Sequence, residues 1–83
     1  MKATVKVTNP KRGMFAAQNE AGQFVVFDLI DSEELRIGDV VFHPDLQERG
    51  GKEIKNLTRG LTMLVFVTNI VFSFEHACQL CFL

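Results

Sequence analysis

The sequence has no excess of charge of either sign: 9 Lys and Arg stand against 10 Asp and Glu, a net of −1 over 83 residues. That balance supplies no global attraction to nucleic acid or to an acidic membrane, so a polyanion can be met only by a local cluster. There is no glycine-rich phosphate loop, and no Ser/His/Asp set or carboxylate pair in an arrangement that points to catalysis, so an enzyme is not expected. Cysteine and histidine are scarce. A structural zinc site needs four ligands, whereas Cys78, Cys81 and His76 have only the distant His43 to join them. The Cys78-x-x-Cys81 pair also lacks the βαβ surroundings of a redox motif, so no metal or other cofactor is expected and both thiols are read as apolar helix residues. No apolar run follows a basic leader, and the cysteines do not frame loops, which together fit a reducing, cytoplasmic setting. The most apolar stretch, Leu61 to Phe74, falls short of the roughly 20 residues that span a bilayer, so a membrane protein is not expected.

The charges that are present are sorted along the chain. Residues 1–13 carry Lys2, Lys6, Lys11 and Arg12 without an acid, and residues 28–39 carry Asp28, Asp31, Glu33, Glu34 and Asp39 against Arg36. Residues 49–59 return to basic with Arg49, Lys52, Lys55 and Arg59 against Glu53. Two basic strands on one face would give a neutral domain a local polyanion-binding surface. The length allows one small domain with a thin core, which oligomerisation would help to complete.

Residues 2–8, KATVKVT, alternate strictly, with Ala3, Val5 and Val7 on one side of a half-buried strand. Asn9-Pro10-Lys11-Arg12-Gly13 reads as a turn, GMFAAQ as a second strand, Asn19-Glu20-Ala21-Gly22 as a second turn and QFVVFDLI as a third strand. Gly38-Asp39 opens a fourth strand, VVFH, and KEIKNLT makes a fifth after the loop PDLQERGG. Five short strands with no room for a crossover helix fit a small antiparallel barrel over residues 1–59.

Residues 60–83 form a second, apolar unit. Read as a helix, Asn69, Ser73 and His76 fall on one polar stripe, although Val65-Phe66-Val67-Thr68 is also a good strand, so strand followed by helix stays open for residues 61–72. An apolar helix on so small a barrel calls for a partner, and a homodimer through Leu64, Val67, Val71 and Phe74 is expected, with truncation after Gly60 expected to change the mass in solution.

The first strands carry a resemblance. Lys2-Ala3-Thr4-Val5-Lys6-Val7-Thr8-Asn9-Pro10-Lys11-Arg12-Gly13-Met14-Phe15-Ala16-Ala17 resembles the opening K-G-x-V-K-W-F-N-x-x-K-G-F-G-F-I of the cold-shock domain, a five-stranded barrel of the oligonucleotide-binding fold. Gln23-Phe24-Val25-Val26-Phe27 is similar to that family's V-F-V-H-F, and Leu35-x-x-Gly38-Asp39-Val40-Val41-Phe42 and Ile54-Lys55-Asn56-Leu57 echo its later strands. The resemblance covers residues 2–58 and implies a mainly β, five-stranded OB-like barrel plus a C-terminal apolar helix. It further implies weak, sequence-tolerant binding of single-stranded RNA or DNA through Lys6, Asn9, Lys11, Arg12, Met14, Phe24, Phe27 and Lys55.

The departures from the pattern lie where that family stacks bases. Val7 stands at its tryptophan position, Met14 and Ala16 at two phenylalanine positions and Val26 at its histidine position. Each stacked base contributes about 1–3 kcal/mol, so tight base-stacked binding is not expected. The rival expectation is a protein-interaction or self-association module that keeps the barrel as scaffold. Phe15, opposite in phase to Met14 and Ala16, is read as core filling, and Phe24 and Phe27, three apart, face opposite ways in a regular strand.

Overall fold

A computed structural model describes residues 1–83. Six strands, β1 (Lys2–Asn9), β2 (Met14–Asn19), β3 (Phe24–Leu29), β4 (Val40–Phe42), β5 (Gly50–Asn56) and β6 (Leu61–Val71), precede one helix, α1 (Phe74–Phe82). The strands close into an antiparallel barrel in the order β1-β2-β3-β6-β5-β4, with β4 pairing back onto β1. The fold is consistent with an OB-like barrel, with six strands where five are expected from the sequence. The added stave is β6, whose first half pairs with β5 and whose second half pairs with β3. The barrel therefore runs to Val71, past the expected boundary at residue 59, and the helix is confined to the last nine residues before Leu83.

Apolar residues on every strand fill the barrel. Val5, Phe15, Ala17, Val25, Phe27, Val41, Ile54, Met63, Val65 and Val67 form one buried cluster with Leu35 and Leu46 from the loops. Phe15 and Phe27 are register partners, and their rings lie 6.0 Å apart at 20°. Burying a side chain of this size contributes about 1.5–3 kcal/mol, so this cluster is the main source of stability.

Two irregularities divide that core from a second one. The β1–β2 register slips between Val5 and Val7, so Lys6 is an extra residue, and the β3–β6 register slips between Val26 and Phe27, so Thr68 is another. An inserted residue changes the face on which the following residues lie. Val5 and Val67 consequently point into the barrel, while Val7 and Val71 lie outside it, against the strict alternation read from KATVKVT. Thr68 Oγ1 donates to Val26 O at 3.2 Å and ties down the second bulge.

The bulged face is where α1 docks. Val7, Ala16, Phe24, Val26 and Val71 on the outside of the sheet bury Ala77 and Cys81 of the helix, with Met14, Cys78 and Leu80 at the margin. Ser73 caps the first turn, its Oγ accepting from His76 N at 3.1 Å. At the other end Asn9 Nδ2 donates to Cys81 O at 2.8 Å, a buried contact. A helix of nine residues is marginal in isolation, so these caps and the apolar seat hold it. No helix is long and apolar enough to cross a membrane.

A polar cluster ties the remaining loops together. Buried Asp39 accepts at Oδ2 from Asn56 Nδ2 (2.9 Å), Arg59 Nε (2.9 Å) and Arg36 N (3.1 Å). Burial pushes the Asp39 carboxyl up, but the hydrogen bonds from Asn56, Arg36 N and Arg59 outweigh it and hold the group below the usual carboxylate range. Asn56 Oδ1 in turn accepts from Thr58 N and Arg59 N, which shapes the β5–β6 turn.

Candidate nucleic-acid interface

The positions at which the resemblance puts base stacking are covered. Val7, Ala16, Phe24 and Val26 form the floor under α1, and Met14 is half-buried beside it. The small or aliphatic side chains of Val7, Ala16 and Val26 leave room for a helix where a platform of rings would fill the space. Phe24 is 5% exposed, with the Phe74 ring meeting it edge-on at 6.1 Å. Phe27 is 0% exposed because alternation turns it into the barrel, so it offers no face to a base. Asn9 is likewise buried, its amide committed to the helix carbonyl. The expected site thus loses Asn9, Phe24 and Phe27 to the interior.

The basic members stay exposed and divide between two surfaces. Lys6 lies on the β1 bulge, and Lys11 and Arg12 lie in the β1–β2 turn near the C-terminal end of α1. Arg12 is close enough to favour the Cys81 thiolate, yet burial and the neighbouring Cys78 push that thiol up to about 11. Cys81 is buried, Cys78 is half-buried, and both are free thiols. No group of three or more His, Cys, Asp or Glu side chains is arranged to hold a metal ion. Of the expected interface residues, Leu64 and Phe74 are exposed, whereas Val67 fills the barrel and Val71 lies under α1.

Lys55 belongs to a different face, one the sequence reading passed over. Lys2 pairs in register with Phe42, Phe42 with Lys55, and Lys55 with Thr62. Residues directly opposite on neighbouring strands share a face of the sheet. Val41 points into the barrel, so Val40 and Phe42 point out, and the Phe42 ring lies half-buried between two exposed lysines about 10 Å apart across two strand spacings. Lys6 adjoins the same surface in a shallow depression shared with Lys2, Thr4, Gln18, Glu20 and Val40. The chain's terminal ammonium group, on Met1, donates to His43 O at 2.9 Å, next to Phe42. The acids on this surface are Glu20 and Glu53. The ion pairs of the molecule, Arg36–Glu34 and Arg59–Asp39, involve none of these lysines. Alternation about Val41 is the signal in the sequence that marks Phe42 as outward.

No family model, curated protein or solved structure matches this chain. The site therefore rests on its own geometry.

Proposed function

We propose that the protein binds single-stranded nucleic acid weakly and with little sequence preference, through the outer face of β1, β4 and β5. The observation that carries this reading is the row Lys2–Phe42–Lys55, an aromatic ring flanked on both neighbouring strands by lysines without ion-pair partners. The ring supplies a stacking surface for one base, and Lys2, Lys6 and Lys55 supply phosphate contacts on either side. The cold-shock-like opening of the sequence supports a nucleic-acid ligand, while α1 moves the contact surface away from the strands that family uses. The bland account of the row is that lysine stems shield an outward phenylalanine. The two differ in a titration.

Fluorescence anisotropy of labelled single-stranded RNA and DNA against the full chain is expected to show binding at low salt that weakens as salt rises. Lys2→Gln and Lys55→Gln should each weaken binding across sequences and lower the salt slope by about 1. Phe42→Leu, which keeps the apolar bulk, should weaken it by about 5-fold or more. Absence of binding at low salt sinks the reading, as does binding that Lys11→Gln and Arg12→Gln abolish while the Lys2–Phe42–Lys55 variants leave it intact.

One observation favours a second reading. Because α1 fills the face that the resemblance assigns to ligand, the barrel can equally serve as a protein-interaction module whose old surface has been closed by its own C-terminus. That reading is the one left standing if no nucleic acid binds.

A further inference from the structure

Helix α1 carries both cysteines of the chain, Cys78 and Cys81, as free thiols three positions apart. Cys81 is 0% exposed in the apolar seat that Val7, Ala16, Phe24, Val26 and Val71 provide, whereas Cys78 is half-buried at its margin. Residues three apart on a helix are neighbours on its surface. One thiol is thus within reach of solvent, and its neighbour is shielded from it. The two are close enough for Cys78 to add to the burial that pushes the Cys81 thiol up.

Helical geometry keeps this pair reduced. Cβ atoms at positions i and i+3 stand about 5–6 Å apart, whereas a disulfide needs about 3.5–4.5 Å. Both cysteines lie inside α1, so a bond between them requires the last helical turn to open. That turn is held by the burial of Cys81 and by Asn9 Nδ2, which donates to Cys81 O at 2.8 Å. The disulfide and the docked C-terminal half of α1 therefore exclude one another, and whatever favours one disfavours the other.

We propose that Cys78 and Cys81 form a thiol–disulfide latch, in which a small-molecule disulfide such as oxidised glutathione oxidises the pair and releases the C-terminal half of α1 from the barrel. The Cys78 thiolate attacks one sulfur of that disulfide, breaks its S–S bond and expels a thiolate, which takes up the proton that Cys78 gave up. Cys81, freed as the turn opens, loses its proton and attacks the Cys78 sulfur, displacing the second small thiol. Two protein thiols become one disulfide, and the small disulfide becomes two thiols. An excess of reduced glutathione reverses both steps, and the helix redocks. Oxidation uncovers Val7, Ala16 and Val26, which the reduced chain keeps covered. Lys2, Phe42 and Lys55 take no part, so the latch and the nucleic-acid reading stand or fall separately.

The full chain equilibrated in graded ratios of oxidised to reduced glutathione is the test, read by intact mass and by hydrogen exchange of residues 74–82. The expected product is a monomer lighter by two hydrogens, whose α1 amides exchange about 10-fold faster or more while the barrel amides keep their protection. Cys78→Ser should keep slow exchange in α1 at every ratio. Asn9→Ala, which frees the last turn, should shift the midpoint towards the disulfide by about 5-fold or more. Thiols that stay reduced throughout overturn the proposal, as does a product that stops at the mixed disulfide or links two chains. A disulfide formed with α1 exchange unchanged, or a midpoint indifferent to Asn9→Ala, overturns the link between oxidation and release.

Discussion

Asp39 concentrates several of the chain's loop contacts on one oxygen. Its Oδ2 receives hydrogen bonds from Asn56, Arg59 and Arg36 N, so it holds together the approach to β4 and the β5–β6 turn. Every buried side-chain nitrogen and oxygen in the molecule has a partner, so this cluster carries no slack. Because folding lowers the pKa of Asp39, the stabilisation is fully present above the unfolded value of about 4 and is lost as pH falls through the folded value. Asp39→Asn keeps the size and removes the charge. It should cost about 1–2 kcal/mol at pH 7, where a charged hydrogen bond is lost, and nearly nothing once the pH lies below the folded value, where the wild-type carboxyl is neutral too. Urea titrations of both proteins at the two pH values check this; an equal deficit at both would show that the charge does not matter. The sequence makes Gly38-Asp39 visible as the start of a strand. It gives no sign of the partners, which lie 17 and 20 positions away and are brought in by the β4–β5 pairing.

At the scale of elements, α1 joins the two ends of the chain. Asn9 and Cys81 are 72 positions apart, and one hydrogen bond between them closes the helix C-terminus. The basic turn after Asn9 therefore serves the helix, with Arg12 near its carbonyl end, where a positive charge is favourable. Asn9→Ala should raise the frequency of helix undocking by about 5- to 10-fold through loss of roughly 1 kcal/mol. Cys81 reports it directly: its buried thiol, pushed up to about 11, should react slowly with an alkylating agent at pH 8 in the wild type and faster in Asn9→Ala. Equal rates would mean that the amide does not secure the helix.

The same region shows why β6 was hard to read. Its inner residues Met63, Val65 and Val67 and its outer residues Leu64 and Phe66 are all apolar, so polarity does not alternate along the strand. The polar stripe Asn69, Ser73, His76 crosses three settings, a strand, a cap and a helix, and its helical spacing is accidental. Strands β1 to β5 were legible because turn residues bound short β-prone runs there, although the bulge at Lys6 takes Val7 out of the alternation.

For the whole molecule, closure of the barrel depends on β6. Truncation after Gly60, which the sequence suggested as a probe of association, would remove the stave between β3 and β5 and open two edges, so its outcome reports on folding instead of mass. The site was legible only in part for a related reason. Lys6 and Lys55 could be picked out as basic residues, but Phe42 comes to lie between Lys2 and Lys55 only once β1, β4 and β5 are side by side. The bulges at Lys6 and Thr68 also act like shifts of a conformational reading frame. A deletion inside a regular strand throws every later side chain onto the wrong face. Deleting Lys6 instead restores an in-phase ladder, with Val5 still inside and Val7 and Asn9 still facing the helix. The deletion of Lys6 is therefore expected to retain a cooperative thermal transition that deletion of Thr4 abolishes, so a strand tolerates a missing letter where it carries a spare one.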